Sequence, residues 1–385
     1  MAERCAVVGV GQTRHASKRL DVSIAGLVRE AALAALADAG LGWADVDAVV
    51  IGKAPDMFEG VAMPELYLAD ALGAVGKPMM RVHTAGSVGG STSIVASSLI
   101  MARRHKRVLT VAYEKQSEGN AQWGLAGGRS GGMGAGGIFA PWMRSYIRGS
   151  GAPEHIGWKV AVKDRLNATK NPYAHLQLPD ITIEKVKESP MLWEPIHFLE
   201  SCPSSDGAAA MVLTDEDGGR AASKPPAWVL GTAMRSELGS FPGRDTVRPQ
   251  AGVECAHMLY DEVGITNPRE QIDVAELYVP FSWYEPMWLE GHDIAGPGEG
   301  WKMVDSGETE LTGSFPVNPS GGVLSSNPIG ASGMLRFGEA AQQVRGQAGE
   351  HQVPGAKVAL AQAYGGAAQY FAMWVVSSEL HPSFS

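Results

Sequence analysis

The 385-residue sequence predicts an α/β protein of two matching β-α-β-α-β halves with a long segment inserted into the first. Three observations carry that prediction. A helical pattern that runs into glycine, an apolar residue, a short polar turn and a strand occurs twice, as ALADAGLGWADVDAVVIG (35–52) and as MLYDEVGITNPREQIDVAELYV (258–279). A second pair of segments matches as well: GGSTSIVASSLI leads through a helix into RVLTVAYE, and GASGMLRFGEAA leads through a helix into KVALAQAYGG. Between about Lys115 and Cys202 the repeat is broken by a stretch without matching periodicity, which reads as an inserted loop domain.

In chain order, Ala6 to Gly11 is apolar and β-branched and reads as a buried strand. The helix after it keeps its apolar residues Ile24, Leu27, Val28, Ala31 and Leu36 at helical spacing, with Asp21 or Ser23 as N-cap and Gly40 as C-cap. Val46 to Ile51 starts the next strand, and in the second copy, which carries two extra turn residues, Gly264 takes the place of Gly40. The expected organisation is a first half over 1–115 and 203–220, the insertion over 116–202 and a second half over 221–385. The insertion opens with eight glycines between Gly124 and Gly137 and continues in a polar helical passage around Val160 to Ala168. Those glycines permit close backbone approach to a ligand or simple flexibility. No GxGxxG order follows a strand, so a Rossmann dinucleotide site is not supported.

Composition narrows the function classes. Apolar residues make up 45% and charged ones 19%, and apolar runs separate the 48 glycines and 23 prolines, which excludes disorder and collagen-like architecture. The formal charge is −9 and no basic stripe exists to neutralise a phosphate backbone, so nucleic acid is not an expected partner. The tightest basic run, Arg103 to Arg107, closes an apolar segment and reads as a solvated helix C-terminus. No stretch reaches the ~18 apolar residues of a membrane span and no leader pattern opens the chain, so a cytoplasmic protein is expected. Cys5, Cys202 and Cys255 are odd in number and lack CxxC spacing, which indicates neither a disulfide framework nor a zinc site. Cys202, in SCPSSDGAAA, is the one in suggestive company, and it reads as a small buried thiol.

The motifs make a resemblance specific. NPSGGVLSSNPIGASG (318–333) is similar to the thiolase signature of NxxGG followed by GHPxGxSG, and ALAQAYGGAAQ (359–369) is similar to the C-terminal signature built on a cysteine followed by glycines. SCPSSDGAAAMVL (201–213) is similar to the SDGAAA strand of sterol-carrier-protein-type thiolases. Over essentially its whole length the chain resembles the thiolase superfamily, which implies the thiolase fold: two pseudo-repeated βαβαβ halves in five layers with an inserted loop domain. The reactive positions depart from that pattern. The family's nucleophilic cysteine falls on Gly86 in VHTAGSVGGS, the HDCF-like histidine on Tyr278 in AELYVPFSWYE, the GHP histidine on Asn327 and the second cysteine on Tyr364.

A thiolase forms a covalent acyl-enzyme and needs a thiolate, which glycine cannot supply. Ser87 is adjacent to Gly86, but no histidine stands at the GHP position to deprotonate it, and His83 lies before the turn. What remains can bind an acyl-CoA and stabilise its enolate. Gly330 to Gly333 open a helix whose free N–H groups can face an oxyanion, and Asn327 carries an amide that either donates to a thioester oxygen or caps its turn. Enolate stabilisation without a nucleophile suits retro-aldol cleavage, with Tyr278 and Tyr364 as acid-base groups, or else as space-filling rings. No lysine lies in the four motifs for a Schiff base, and no cluster of histidines and carboxylates suggests a metal.

The expected catalytic residues are therefore Tyr278, Tyr364 and Asn327, and the expected substrate-binding ones Gly86, Ser87, His83, Trp283, Gly330, Ser332 and Gly365. Tyr278, Phe281, Trp283, Tyr284 and Trp288 either fill the core or line a broad apolar cavity, and His292 reads as a loop histidine. Together these features resemble the thiolase-like aldolases of steroid side-chain degradation, of the lipid-transfer-protein type. That resemblance implies cleavage of 17-hydroxy-3-oxopregnene-20-carboxyl-CoA to androstenedione and propionyl-CoA. It also implies a homodimer bound to a small zinc-ribbon, OB-fold acyl-CoA-binding partner; the chain itself then holds no cofactor, coenzyme A enters with the substrate and any zinc belongs to the partner. A conventional acetyl-CoA acyltransferase with an unrecognised nucleophile and a non-catalytic acyl-CoA- or sterol-binding protein are the other two readings.

Overall fold

The computed structural model describes residues 3–119, 134–239 and 242–384. Eleven strands run along these residues: β1 (Cys5–Gln12), β2 (Ala48–Lys53), β3 (Met79–Val82), β4 (Arg107–Lys115), the short pair β5 (Met191–Trp193) and β6 (Ile196–His197), β7 (Asp206–Asp215), β8 (Ala227–Ser236), β9 (Val274–Glu276), β10 (Val358–Gly365) and β11 (Tyr370–Ser377). Nine of them form one sheet in the order β3-β2-β4-β7-β1-β8-β11-β10-β9.

The duplication read from the sequence is a duplication of strand pairing. β4 runs parallel to β2 and antiparallel to β7, which is antiparallel to β1. In the second half β10 runs parallel to β9 and antiparallel to β11, which is antiparallel to β8. The halves join where β1 meets β8, through the pairs of Cys5 with Val229, Ala6 with Trp228 and Val7 with Ala227. Where β3 would be repeated, a single parallel bridge links Ala275 to Val317.

Helix Ile24–Ala39 covers β1 and β7 on one side, and helix Gln250–Val263 covers β8 and β11 in the second half. Between the half-sheets lie helices Val88–Met101 and Ile329–Val344, packed against each other, which gives the five expected layers. The first is apolar or small all round, as an element buried on every face must be, and the second buries Arg336 and Glu339 by pairing them with Glu276 and His351. Ser23 caps the first helix by accepting the Gly26 N–H, and Gly40 and Gly264 end their helices at φ 67° and 82°. The strand expected from Val46 starts at Ala48, because Trp43–Asp45 forms a tight helical turn first.

Between β4 and β7 lie helices Gly134–Ser150 and His155–Ala168 and the β5–β6 hairpin. Most of the Gly124–Gly137 run lies outside the described residues; Gly134, Gly136 and Gly137 begin a helix. Helix His155–Ala168 is pinned to the second half by buried charge. The Lys163 ammonium bonds Asp164 Oδ1 at 2.6 Å and the Val317 carbonyl at 2.7 Å and stands 3.0 Å from Glu285 Oε2. Arg165 donates to the carbonyls of Leu324 and Ser201.

Candidate active site

Each central helix is preceded by a turn, and both turns open on one cavity of about 280 Å³. The turn before the first supplies Ala85, at φ 52°, and Gly86; the one before the second supplies Asn327. Tyr278 comes from just beyond β9, Tyr364 and Gly365 from the end of β10, and Phe58, Phe139 and Phe281 add apolar walls. A Cβ at Gly365 would stand 2.4 Å from the Gly86 nitrogen, so the backbone of the turn approaches this strand end as only glycine allows.

The NPSGG motif builds the site from behind. Asn318, at φ 53°, accepts the Leu277 N–H on Oδ1 at 2.8 Å, and Ser320 bonds the buried Glu276 carboxylate, which also pairs with Arg336. The Tyr278 backbone is held at both ends, its N–H donating to Gln362 Oε1 and its carbonyl accepting from Trp288 Nε1, each at 2.9 Å.

Asn327 is the hub. Its Oδ1 accepts from Ser332 Oγ at 2.7 Å and from the Tyr278 hydroxyl at 3.3 Å, while its Nδ2 donates to Cys202 Sγ at 3.1 Å. The rings of Tyr278 and Tyr364 meet edge to face with centroids 5.3 Å apart, and Tyr284 stands 5.2 Å behind Tyr364. Burial pushes both phenols above their ordinary range; the neighbouring Cys202 adds to it for Tyr278, and the neighbouring tyrosines Tyr284 and Tyr278 for Tyr364. Both therefore stand as neutral phenols at neutral pH.

Of the expected residues, Tyr278, Tyr364, Asn327, Gly86 and Gly365 come together on this cavity, and five others do not line it. Ser87 is buried at the start of its helix and donates to the Thr84 carbonyl at 2.7 Å. His83 is exposed. Trp283 faces a second cavity of about 370 Å³ with Trp158, Arg148 and His197, because the chain turns into a helix between Phe281 and Tyr284. Gly330 packs on the Tyr113 carbonyl, which a Cβ would approach to 2.2 Å. The expected free N–H groups there are partly engaged, since those of Ala331 and Ser332 bond the Pro328 carbonyl. Ser332 acts on Asn327 rather than on the cavity. His292 lies in the turn after helix Tyr284–Gly291, as expected of a loop histidine, and is fully buried there beside Trp288 and Phe371.

Cys202 lines the cavity although it is not among the expected site residues. It lines the cavity because Ser201 bridges Phe281 and the Cys202 N–H bonds the Pro280 carbonyl at 2.9 Å, a pairing between distant parts of the chain with no local signature. Its place shortly before the SDGAAA strand was the available signal. Burial pushes its thiol up to about 11. Among the described residues no three His, Cys, Asp or Glu side chains gather as a metal site needs.

Residues 240–378 match the thiolase C-terminal domain-like family. Across 378 residues the chain is 30% identical to the acetyl-CoA acetyltransferase of Methanothermobacter thermautotrophicus, covering 94% of this chain and 96% of that one. The chain belongs to the thiolase superfamily. Within the superfamily it is 29% identical to the steroid side-chain-cleaving aldolase of Thermomonospora curvata, over 89% of this chain and 90% of that one. The solved Ltp2-ChsH2(DUF35) aldolase superposes with a TM-score of 0.84 at 27% identity, covering 98% of both chains. This superfamily member thus has the thiolase fold, and Gly86 is the position at which the motif resemblance expects the superfamily's nucleophilic cysteine.

Proposed function

We propose that the chain is a carbon-carbon lyase that cleaves a β-hydroxyacyl-CoA by the retro-aldol route. The observation that carries the reading is the cavity itself: two neutral phenols and a side-chain amide stand where acyl transfer would need a thiolate and its base. In the step, the β-hydroxyl gives up its proton, the bond between the α and β carbons breaks, and the electron pair passes into the acyl-CoA enolate. The α carbon then takes a proton and leaves as the shorter acyl-CoA, while the β carbon leaves as a ketone or aldehyde. The proton lost equals the proton gained, so a phenol that receives one while releasing another never accumulates as phenolate. A raised pKa is compatible with that shuttle and poor for a free base. Tyr278 has its own proton on Asn327 Oδ1 and offers lone pairs to a ligand, whereas the Tyr364 hydroxyl stands beside that of Tyr284. Asn327 Nδ2 donates to the thioester oxygen as it gains charge.

Likeness to the two aldolases supports a steroid acyl-CoA, 17-hydroxy-3-oxopregnene-20-carboxyl-CoA, with androstenedione and propionyl-CoA as products. The cavity falls just below the roughly 300–1,000 Å³ usual for ligand sites, so a polycyclic acyl group needs further room at the rim. A DUF35-type partner, like the ChsH2 of the similar aldolase complex, is proposed to supply it: a small OB-fold protein with its own zinc, bound to a cytoplasmic homodimer of this chain.

One observation favours a second reading, acyl transfer through Cys202, whose thiol lines the cavity. With its pKa near 11, a thiol is about one part in 10⁴ thiolate at pH 7, which disfavours it. Turnover of a β-hydroxyacyl-CoA by the chain alone and with the co-produced small partner tests all readings. Release of ketone and shorter acyl-CoA supports the lyase, acyl transfer to CoA the second reading, and binding without either product a non-catalytic acyl-CoA-binding protein.

A further inference from the structure

We infer that Ser332 is a positioning residue that sets which end of the Asn327 amide meets the ligand. The inference rests on the proposed reading only in taking a thioester as that ligand. Ser332 is fully buried in the first turn of helix Ile329–Val344, and its Oγ stands 2.7 Å from Asn327 Oδ1 and 3.2 Å from the Pro328 carbonyl. That carbonyl already receives the N–H groups of Ala331 at 2.7 Å and Ser332 at 2.9 Å, so the hydroxyl proton belongs on Oδ1. The Tyr278 hydroxyl is the second donor to the same oxygen, at 3.3 Å, and the two fill its lone pairs.

The Asn327 backbone cannot move to compensate. Its N–H donates to Ser205 Oγ at 3.1 Å and its carbonyl accepts from Gln116 Nε2 at 2.6 Å, and Ser205 is itself bonded to His175 Nδ1 at 2.9 Å. The remaining freedom is a half-turn of the amide. In the turned state Oδ1 would meet the Cys202 thiol, which can donate, and the NH₂ would meet the Tyr278 oxygen, which can accept. Both states would be bonded, so the short bond from Ser332 decides between them. With the hydroxyl present, Nδ2 keeps one hydrogen on Cys202 Sγ, at 3.1 Å, and its other hydrogen has no protein acceptor among the described residues. The cavity therefore meets a donor, which suits a thioester oxygen; the turned amide would present an acceptor and repel it.

The test reads the ligand rather than the reaction. The infrared carbonyl stretch of bound propionyl-CoA, labelled with ¹³C at the thioester carbon, should lie below that of free propionyl-CoA. Asn327→Ala should abolish the shift, Ser332→Ala should abolish most of it, and Ser332→Thr, which keeps a hydroxyl, should restore it. Ser332→Ala placed on Asn327→Ala should add nothing further, and its melting temperature alone should stay near the parent's. In the lyase assay Ser332→Ala should lower kcat about tenfold at constant KM, the order expected when one hydrogen bond is lost. An undiminished shift in Ser332→Ala, or no shift in the unmodified chain, overturns the inference. A Ser332-dependent shift in a chain that cleaves no β-hydroxyacyl-CoA upholds it and removes the lyase reading instead.

Discussion

Gly89 and Gly333 lie against each other's backbone where the two central helices cross: a Cβ at Gly89 would stand 2.3 Å from the Met334 nitrogen, and one at Gly333 would stand 2.7 Å from the Gly90 nitrogen. Helices this close begin side by side, which is why Gly86 and Asn327, each shortly before its helix, reach the same cavity. Backbone cannot yield as a flexible side chain would. Gly89→Ala and Gly333→Ala should each destabilise the chain by about 3 kcal/mol or more, at the upper end of overpacking costs. Urea denaturation measures this, and a loss below about 1 kcal/mol would show that the crossing has slack the distances deny.

Replacing Tyr278 or Tyr364 by phenylalanine keeps the ring volume and deletes the hydroxyl. Each ring is packed edge to face on the other, so folding should hold. Turnover of the β-hydroxyacyl-CoA should fall roughly 10²- to 10⁴-fold in each variant, with acyl-CoA binding changed much less. Near-parental turnover in both would remove the shuttle and leave the two tyrosines as packing.

The fold was legible because its signals are local: helix spacing, the positive-φ glycines Gly40 and Gly264 at matching places, and β-branched strands. The convergence of Tyr278, Tyr364, Asn327 and Gly86 is long-range, and it was reached through motif resemblance rather than spacing. Their neighbours in the same motifs, Ser87, His83, Trp283, Gly330 and Ser332, do not line the cavity. Whether Trp283 faced the site depended on a chain turn just after Phe281, and whether Ser87 was free depended on the Thr84 carbonyl within reach. Cys202 entered the site through pairing with Pro280 and Phe281, which no local pattern encodes.

Cys202 makes the chemistry of the thiol measurable. Cys5 and Cys255 are buried, so alkylation of the folded chain should mark Cys202 alone, slowly at pH 7 and faster as pH rises toward about 11, where its thiolate forms. Intact mass after incubation with acyl-CoA should show no acyl adduct, and Cys202→Ala should retain lyase turnover within a few-fold. An acyl adduct that vanishes in Cys202→Ala would instead make the chain an acyltransferase.

His292 ties stability to pH. Its ring is fully buried 6.0 Å from Trp288 and 6.2 Å from Phe371, and neither ring nitrogen has a hydrogen-bond partner among the described residues. Burial lowers its pKa from 6.5 to about 4. The folded chain thus holds it neutral while the unfolded chain binds a proton below pH 6.5, so its contribution is complete above that pH and is lost as pH falls toward 4. His15, lowered to about 3 chiefly by burial, acts in the same direction and leaves a residual slope. His292→Phe keeps an aromatic ring and has no proton to take up. At pH 7 its stability should equal or exceed the parent's, and the advantage should grow on acidification to at most on the order of 3 kcal/mol. The Tyr260 hydroxyl bonds the residue 292 carbonyl, which the substitution leaves in place. Urea midpoints measured at roughly pH 7, 5.5 and 4.5, which span the titration, should therefore diverge between the two chains; parallel profiles would mean that the imidazole reaches solvent when protonated.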